Sequence, residues 1–171
     1  MFGAIDRVRP HNDQNEYYLT DVVGILTASG HRFGAFEASE SMEILGVNSR
    51  LELAQIDGLM RHRKCEELMV SGVSIIDPDT AWIDADVEIG SDSVIHPSVC
   101  IEGRSVLGED VTVRSFSRLT NSLVGDRSTI LEGCVVNDSK ISEDVQIGPH
   151  THLRMGVVLE NQVKVGNFVE I

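Results

Sequence analysis

The chain has 171 residues, 42% of them hydrophobic and 24% charged, the balance of an ordinary globular protein with room for one or two domains. Its formal net charge of −13 argues against nucleic acid or an anionic membrane surface as partner. No apolar run approaches a membrane span, the opening MFGAIDRVRP lacks a signal-peptide core, and Cys65, Cys100 and Cys134 show neither CxxC nor zinc spacing, so they read as free thiols of a reducing cytoplasm.

Residues 1–47 carry no long period. Leu19, Val22, Val23 and Leu26 fall at helical spacing, Thr20 or Asp21 offers a cap and Gly30 a stop. This predicts a helix over 19–29, followed by a short strand from His31 to Ala38. About 45 residues are too few for an independent core, so the segment is expected to be the tail of a larger α/β domain or to dock on another chain. A second helix is predicted over 49–71. Ser49 and Glu52 have capping-box spacing with Asn48 just before, Ile56, Leu59 and Met60 form an apolar stripe, and Gly72 can end it. The basic run Arg61-His62-Arg63-Lys64 reads as the solvated face of that helix.

From Ile83 onward the pattern changes. An aliphatic residue recurs every sixth position through Ile89, Ile95, Ile101, Leu107, Val113 and Leu119. A stride of five leads to Val124, Ile130 and Val136, and another to Ile141, Ile147, Leu153, Leu159, Val165 and Ile171. Two positions before each stands a small or Val-sized residue, from Ala81 and Val87 through Ser117 and Cys134 to Val169. At a composition of roughly one aliphatic in four, seven consecutive hits arise by chance about once in ten thousand registers. Six residues make one short strand and one corner, and three such units make a triangular coil of roughly eighteen residues stacked on the next. The large aliphatic fills the coil, and the residue two before it points inward as well. The strides of five predict coils one residue shorter. Gly90, Gly108, Gly125, Gly148 and Gly166 each follow an interior aliphatic and are expected at corners, some with positive φ. A β-sandwich has no reason to hold period six for so long.

Several segments narrow the choice further. Asn15-Glu16-Tyr17-Tyr18-Leu19-Thr20-Asp21, then Leu45-Gly46-Val47-Asn48-Ser49-Arg50-Leu51, then the helix, then hexads closing on His152-Leu153-Arg154-Met155-Gly156 and Val165-Gly166-Asn167-Phe168-Val169-Glu170 follow one another in order. Together they resemble the bacterial bifunctional N-acetylglucosamine-1-phosphate uridyltransferase / glucosamine-1-phosphate N-acetyltransferase family. The resemblance implies a mainly β fold. Residues 1–47 would be the C-terminal remnant of a Rossmann-like nucleotidyltransferase domain, 48–72 a linker helix, and 73–171 a left-handed parallel β-helix of hexapeptide repeats, the N-terminal part of an acetyltransferase domain. It also implies a cytoplasmic homotrimer of UDP-N-acetylglucosamine synthesis, serving peptidoglycan and lipopolysaccharide. Such an enzyme moves acetyl from acetyl-CoA to glucosamine-1-phosphate, then uridylyl from UTP with Mg²⁺.

The same resemblance carries site residues over. Asn48 matches an Asn that binds Mg²⁺ and the sugar nucleotide, and its bland reading is a cap for the following helix. Tyr18 and Thr20 match the N-acetylglucosamine pocket, and their bland reading is helix-entry packing. Asn15 stands where the family commonly has Gly. Arg154 matches the Arg that holds the sugar phosphate, with Met155 in place of the family's Pro, and its bland reading is a solvated corner residue. The Gly-rich triphosphate loop, the metal-binding Asp, the sugar-binding Lys and the general-base His have no counterpart here. The chain is therefore expected to be inactive in both reactions by itself, with no catalytic residue to name. His96, His150 and His152 read as surface or trimer-contact residues, and Glu102, Glu109, Asp110, Glu143 and Asp144 as solvated corner acids. Two alternatives stay open: another sugar-phosphate nucleotidyltransferase with a β-helix tail, and a non-catalytic trimerisation module.

Overall fold

The structure is a computed structural model that describes residues 2–10, 13, 15–38 and 44–171. The chain divides into two compact units, Met1–Gly46 and Val47–Ile171.

In the first unit, α1 (Phe2–Ile5) and α2 (Asp21–Ala28) share a small core of Ala4, Val8 and Val22, with Ile25 and Leu26 packed against it. The expected helix over 19–29 is present, two residues shorter at its start. Thr20 occupies the cap position but its side chain makes no capping hydrogen bond, because its backbone is already helical (φ −60°, ψ −26°). Gly30 ends the helix as expected: at φ 83° its N–H bonds the Thr27 carbonyl, while the His31 N–H reaches Leu26. The strand expected from His31 to Ala38 does not form. No strand is described in the first unit for it to pair with, so its backbone has no ladder to join.

The second unit opens with α3 (Arg50–Val70). The expected capping box is built: Ser49 Oγ accepts from the Glu52 N–H at 3.1 Å, and Glu52 Oε2 accepts from the Asn48 N–H at 2.7 Å. These bonds, the Asn48 N–H foremost, hold the Glu52 carboxyl below its usual range. Gly72, at φ 103°, closes the helix. The stripe of Ile56, Leu59 and Met60 is not what packs. Leu59 and Met60 are exposed, and burial falls on Cys65 and Leu68, nearer the β-helix, where the α3 contacts lie.

Beyond α3 the chain winds through sixteen short strands in three parallel sheets of six, five and five. The first sheet runs from Ser74–Ile75 through Val94–Ile95, Thr112–Val113, Thr129–Ile130 and Gln146–Ile147 to Lys164–Val165. The second runs from Trp82–Ile83 through Cys100–Glu102, Arg118–Thr120 and Val135–Asn137 to His152–Leu153. The third runs from Glu88–Ile89 through Val106–Leu107, Leu123–Val124 and Lys140–Ile141 to Val158–Leu159. Ile83 stands on Ile101 and Ile101 on Leu119, a coil of eighteen; Leu119 then stands on Val136, a coil of seventeen, as the strides of five require. Every hexad aliphatic from Ile83 to Leu159 is buried, but Val165 is half-buried and Ile171 exposed.

The inner small residues are more than small. Ser117 Oγ accepts from the Cys134 N–H at 3.2 Å and donates to the Leu131 carbonyl at 2.8 Å. Ser93, Ser122, Ser128 and Ser139 likewise bond buried backbone groups. Among the described residues no buried side-chain polar atom lacks a partner, which is what lets hydroxyls sit in a dry axis.

The glycine expectation needs correction. None of Gly90, Gly108, Gly125, Gly148 and Gly166 has positive φ. Four are there because stacked coils leave no room for a Cβ: one added to Gly90 would sit 2.6 Å from the Gly108 carbonyl carbon, and one on Gly148 2.8 Å from the Val165 carbonyl oxygen. The left-handed corner residue stands elsewhere, directly before the inner small residue. It is Asp92, Ser98, Asp110, Phe116, Asn121, Arg127, Gly133, Asp138, Asp144, His150, Gly156, Gln162 and Phe168, while before Ser105 it is Gly103, two positions ahead. Asp and Asn tolerate that region, whereas Phe116 and Phe168 are bulky exceptions.

Candidate functional site

The outer face of the second sheet brings the most side-chain chemistry together. Outward positions alternate with inward ones along each strand, so Val135 and Asn137 flank the buried Val136, and His152 and Arg154 flank the buried Leu153. His152 is bridged in parallel to Glu170 in the following coil, and the Arg154 N–H bonds the Ile171 carbonyl at 2.9 Å. Glu170 Oε1 therefore lies where Arg154 can reach it, accepting from Nε at 3.0 Å and from Nη2 at 2.5 Å. His152 Nδ1 stands 3.5 Å from the same oxygen, and its Nε2 is 3.3 Å from Asn137 Nδ2. The Arg154 guanidinium holds the Glu170 carboxyl below its usual range. The group is open to solvent, with the Arg154 side chain 65% exposed.

Sequence reasoning singled out Arg154 and His152 but missed Asn137 and Glu170. The signal was available. Stacking by seventeen or eighteen residues places 137 beside 154 and 152 beside 170, and only the coil register was needed to see it. His150 belongs to the corner beside this face, where its ring stacks on Phe168 at 5.1 Å. His96 lies on the first sheet's strand exit, and burial, with Arg114 second, pulls its pKa below the ordinary value.

Asn48, in the same unit, does not join the cluster. Asn48 lies at the start of α3, whose contacts are with the strands Ser74–Ile75 and Trp82–Ile83, the opposite end of the second sheet from His152–Leu153. Ser49, not Asn48, is the N-cap. Tyr18 and Thr20 belong to the first unit, Tyr18 beside Ile5, Val8 and Tyr17, and Thr20 beside Val22, Leu26 and Phe33. No three His, Cys, Asp or Glu side chains cluster as metal ligands among the described residues. Asn48's acidic neighbour Glu52 is spent on the helix cap. These residues do not by themselves make a Mg²⁺ site, since an octahedral oxygen shell needs more than one side-chain carbonyl.

The corner acids are not merely solvated. Glu102, within a strand, takes Arg118 through two bonds of 2.7 Å and the Thr120 hydroxyl at 3.1 Å. Arg127 joins Glu143 at 2.6 Å and Asp144 at 2.9 Å across stacked coils. The basic run also divides: Arg61 pairs with Asp57 and lies 4.0 Å over the Trp82 ring, and the Lys64 side chain is largely buried, whereas His62 is exposed.

Residues 65–171 match the sequence model of the family described as the GMPPB C-terminal domain. The chain belongs to this family. Over its whole length it is also a relative of proteins named bifunctional protein GlmU: 43% identical over 171 residues in Geobacillus sp., 39% over 170 in Koribacter versatilis and 42% over 171 in Streptococcus agalactiae. The resemblance read from the sequence is borne out. The chain spans 37% of the Geobacillus relative's length and 36% of the Koribacter one's. Among solved structures it is similar to a mutant perosamine N-acetyltransferase from Caulobacter crescentus in complex with CoA and GDP-perosamine, at 14% identity over 62% of each chain and a TM-score of 0.34. It is also similar to the acetyltransferase domain of PglB from Neisseria gonorrhoeae, at 13% identity over 64% of this chain and 63% of that one, with a TM-score of 0.30.

Proposed function

We propose that the chain is part of a bifunctional enzyme of UDP-N-acetylglucosamine synthesis, a cytoplasmic homotrimer. Residues 73–171 belong to its acetyltransferase β-helix, 48–72 form the linker helix, and 1–47 belong to its nucleotidyltransferase domain. The observation that carries this is identity of 43% along all 171 residues with a bifunctional GlmU. In this reading Arg154 holds the phosphate of glucosamine-1-phosphate, since a guanidinium offers two parallel N–H bonds to a phosphate. Acetyl-CoA is the acetyl donor. Tyr18, Thr20 and Asn48 serve the uridylyl step on UTP, where Asn48 contributes one oxygen to Mg²⁺.

The 171 residues alone carry out neither reaction in this proposal. Acetylating an amine needs a group to accept its proton, and His152 has its ring nitrogens toward Asn137 and Glu170, which leaves His150, stacked on Phe168, as the residue to test should the short chain be active. The test is thiol release from acetyl-CoA with glucosamine-1-phosphate, on this chain and on a longer form carrying the remaining length of the relatives. Activity in the longer form that falls with Arg154→Ala is expected. Activity in the short chain would overturn the missing-base argument.

A second reading, a non-catalytic trimerisation module, is favoured by one feature. Val106 and Leu123 are exposed apolar neighbours in register on the third sheet, and Val158 follows them beyond Lys140. Trimers that bind neither glucosamine-1-phosphate nor UDP-N-acetylglucosamine in either length of chain would support it.

A further inference from the structure

Two N–H groups of Arg154 and an imidazole nitrogen of His152 lie around a single oxygen at the end of the second sheet. Arg154 Nε and Nη2 lie 3.0 and 2.5 Å from Glu170 Oε1, and His152 Nδ1 lies 3.5 Å from it. Asn137 bears on which imidazole nitrogen carries the proton. Its amide nitrogen only donates, so facing Nε2 at 3.3 Å it favours the tautomer with the hydrogen on Nδ1, the nitrogen 3.5 Å from the oxygen the guanidinium holds. A neutral His152 therefore suffices as donor. The arrangement is a small anion-binding point that already holds an anion, the chain's own carboxylate.

We infer that His152 is a second anchor for the phosphate taken by Arg154, and that Glu170 is the internal ligand this phosphate displaces. The inference rests on the proposed sugar-phosphate role of Arg154 and adds two residues to it. A phosphate oxygen presents to these donors the same acceptor chemistry as a carboxylate oxygen, with more charge. All three side chains are substantially solvent-exposed, so exchange of one anion for another needs no opening of the fold. Asn137 acts through His152 and is a positioning residue.

The test is an NMR titration of the 171-residue chain with inorganic phosphate and, separately, glucosamine-1-phosphate. Glu170→Gln keeps the shape but removes the competing charge, and it should bind inorganic phosphate more tightly than the parent by about three- to tenfold, the scale of one exposed charge-assisted contact. Adding His152→Phe to Glu170→Gln should reverse most of that gain while the thermal melt stays in place. Tighter binding of the sugar phosphate than of inorganic phosphate, with the same response to both substitutions, assigns the point to a phosphate monoester. Equal affinity assigns it to the phosphate group alone, and either result supports the anchor. Glu170→Gln that binds no more tightly than the parent, or His152→Phe that leaves its affinity unchanged, overturns the inference. Failure of the proposed function looks different: phosphate capture that responds to both substitutions, with no acetyl transfer in the longer form, would leave the anion point standing. Acetyl transfer lost in Arg154→Ala but untouched by His152→Phe would leave the function standing and remove the anchor.

Discussion

Three glycine-to-alanine substitutions separate close stacking from backbone conformation as the reason for glycine in this β-helix. A Cβ on Gly125 would fall 2.7 Å from the Ser142 carbonyl carbon and 2.9 Å from both the Ser142 oxygen and the Glu143 nitrogen. All three are backbone atoms of the next coil, so no flexible side chain can yield. Reaching ordinary contact requires the coils to part by about 0.7 Å, judged against optimal carbon separations of roughly 3.5 Å. That stretches the bond from the Gly125 N–H to the Ile141 carbonyl, now 2.8 Å. Overpacking costs about 1–3 kcal/mol and a lost ladder bond about 1 kcal/mol, so Gly125→Ala should destabilise by about 2–4 kcal/mol. Gly156 has φ 86° with nothing within 4 Å of its would-be Cβ; its alanine variant bears only left-handed strain, about 1–2 kcal/mol. Gly166 has ordinary φ and its nearest neighbour at 3.9 Å, so Gly166→Ala should be neutral or stabilise by up to about 1 kcal/mol through the unfolded chain. Urea denaturation followed by circular dichroism should rank them 125, 156, 166. Gly125→Ala unfolding at the parent's midpoint, or Gly166→Ala costing as much as Gly125→Ala, would refute the stacking argument.

Ile130 is fully buried in the coil, so Ile130→Asp buries an unpaired charge and should abolish the cooperative melt; a variant that melts like the parent would show the interior register to be wrong. Glu102 is held below the usual carboxylate range, first by its hydrogen bonds from Arg118, then by the Thr120 hydroxyl. A carboxyl with a lowered folded pKa contributes stability above its unfolded value, and that contribution is lost as pH falls through the folded value. Stability should therefore drop below about pH 4.5, and Glu102→Gln should flatten that drop in denaturant midpoints measured across pH 6 to 3. Cys65 and Cys134 are fully buried, whereas Cys100 is partly exposed with its thiol pushed up to about 11, mainly by burial. A thiol reagent at neutral pH should label Cys100 alone, slowly, since the thiolate is the reactive form; labelling of Cys134 in the folded chain would count against its interior position.

The period of six was enough to place fifteen of the sixteen strands, all but Ser74–Ile75, because a coil that buries one aliphatic per side repeats that demand in every unit, and a repeated demand is visible in a linear string. Ser49, Glu52 and Gly72 likewise marked the ends of α3, because caps are local chemistry between residues a few positions apart. The strand expected at His31–Ala38 failed for the opposite reason: a strand exists only with a partner, and the residues themselves carry no record of one. What depended on stacking was equally hidden. Gly125 and Gly166 look alike in sequence, yet only Gly125 meets another backbone. Phe116, His150 and Phe168 share left-handed corners that their residue types would never suggest. Arg154 was legible through family resemblance and His152 stood out beside it, but Asn137 and Glu170 did not. Asn137, His152 and Glu170 gather beside it because coils of seventeen and eighteen residues lay distant positions side by side, and that adjacency belongs to the wound chain alone.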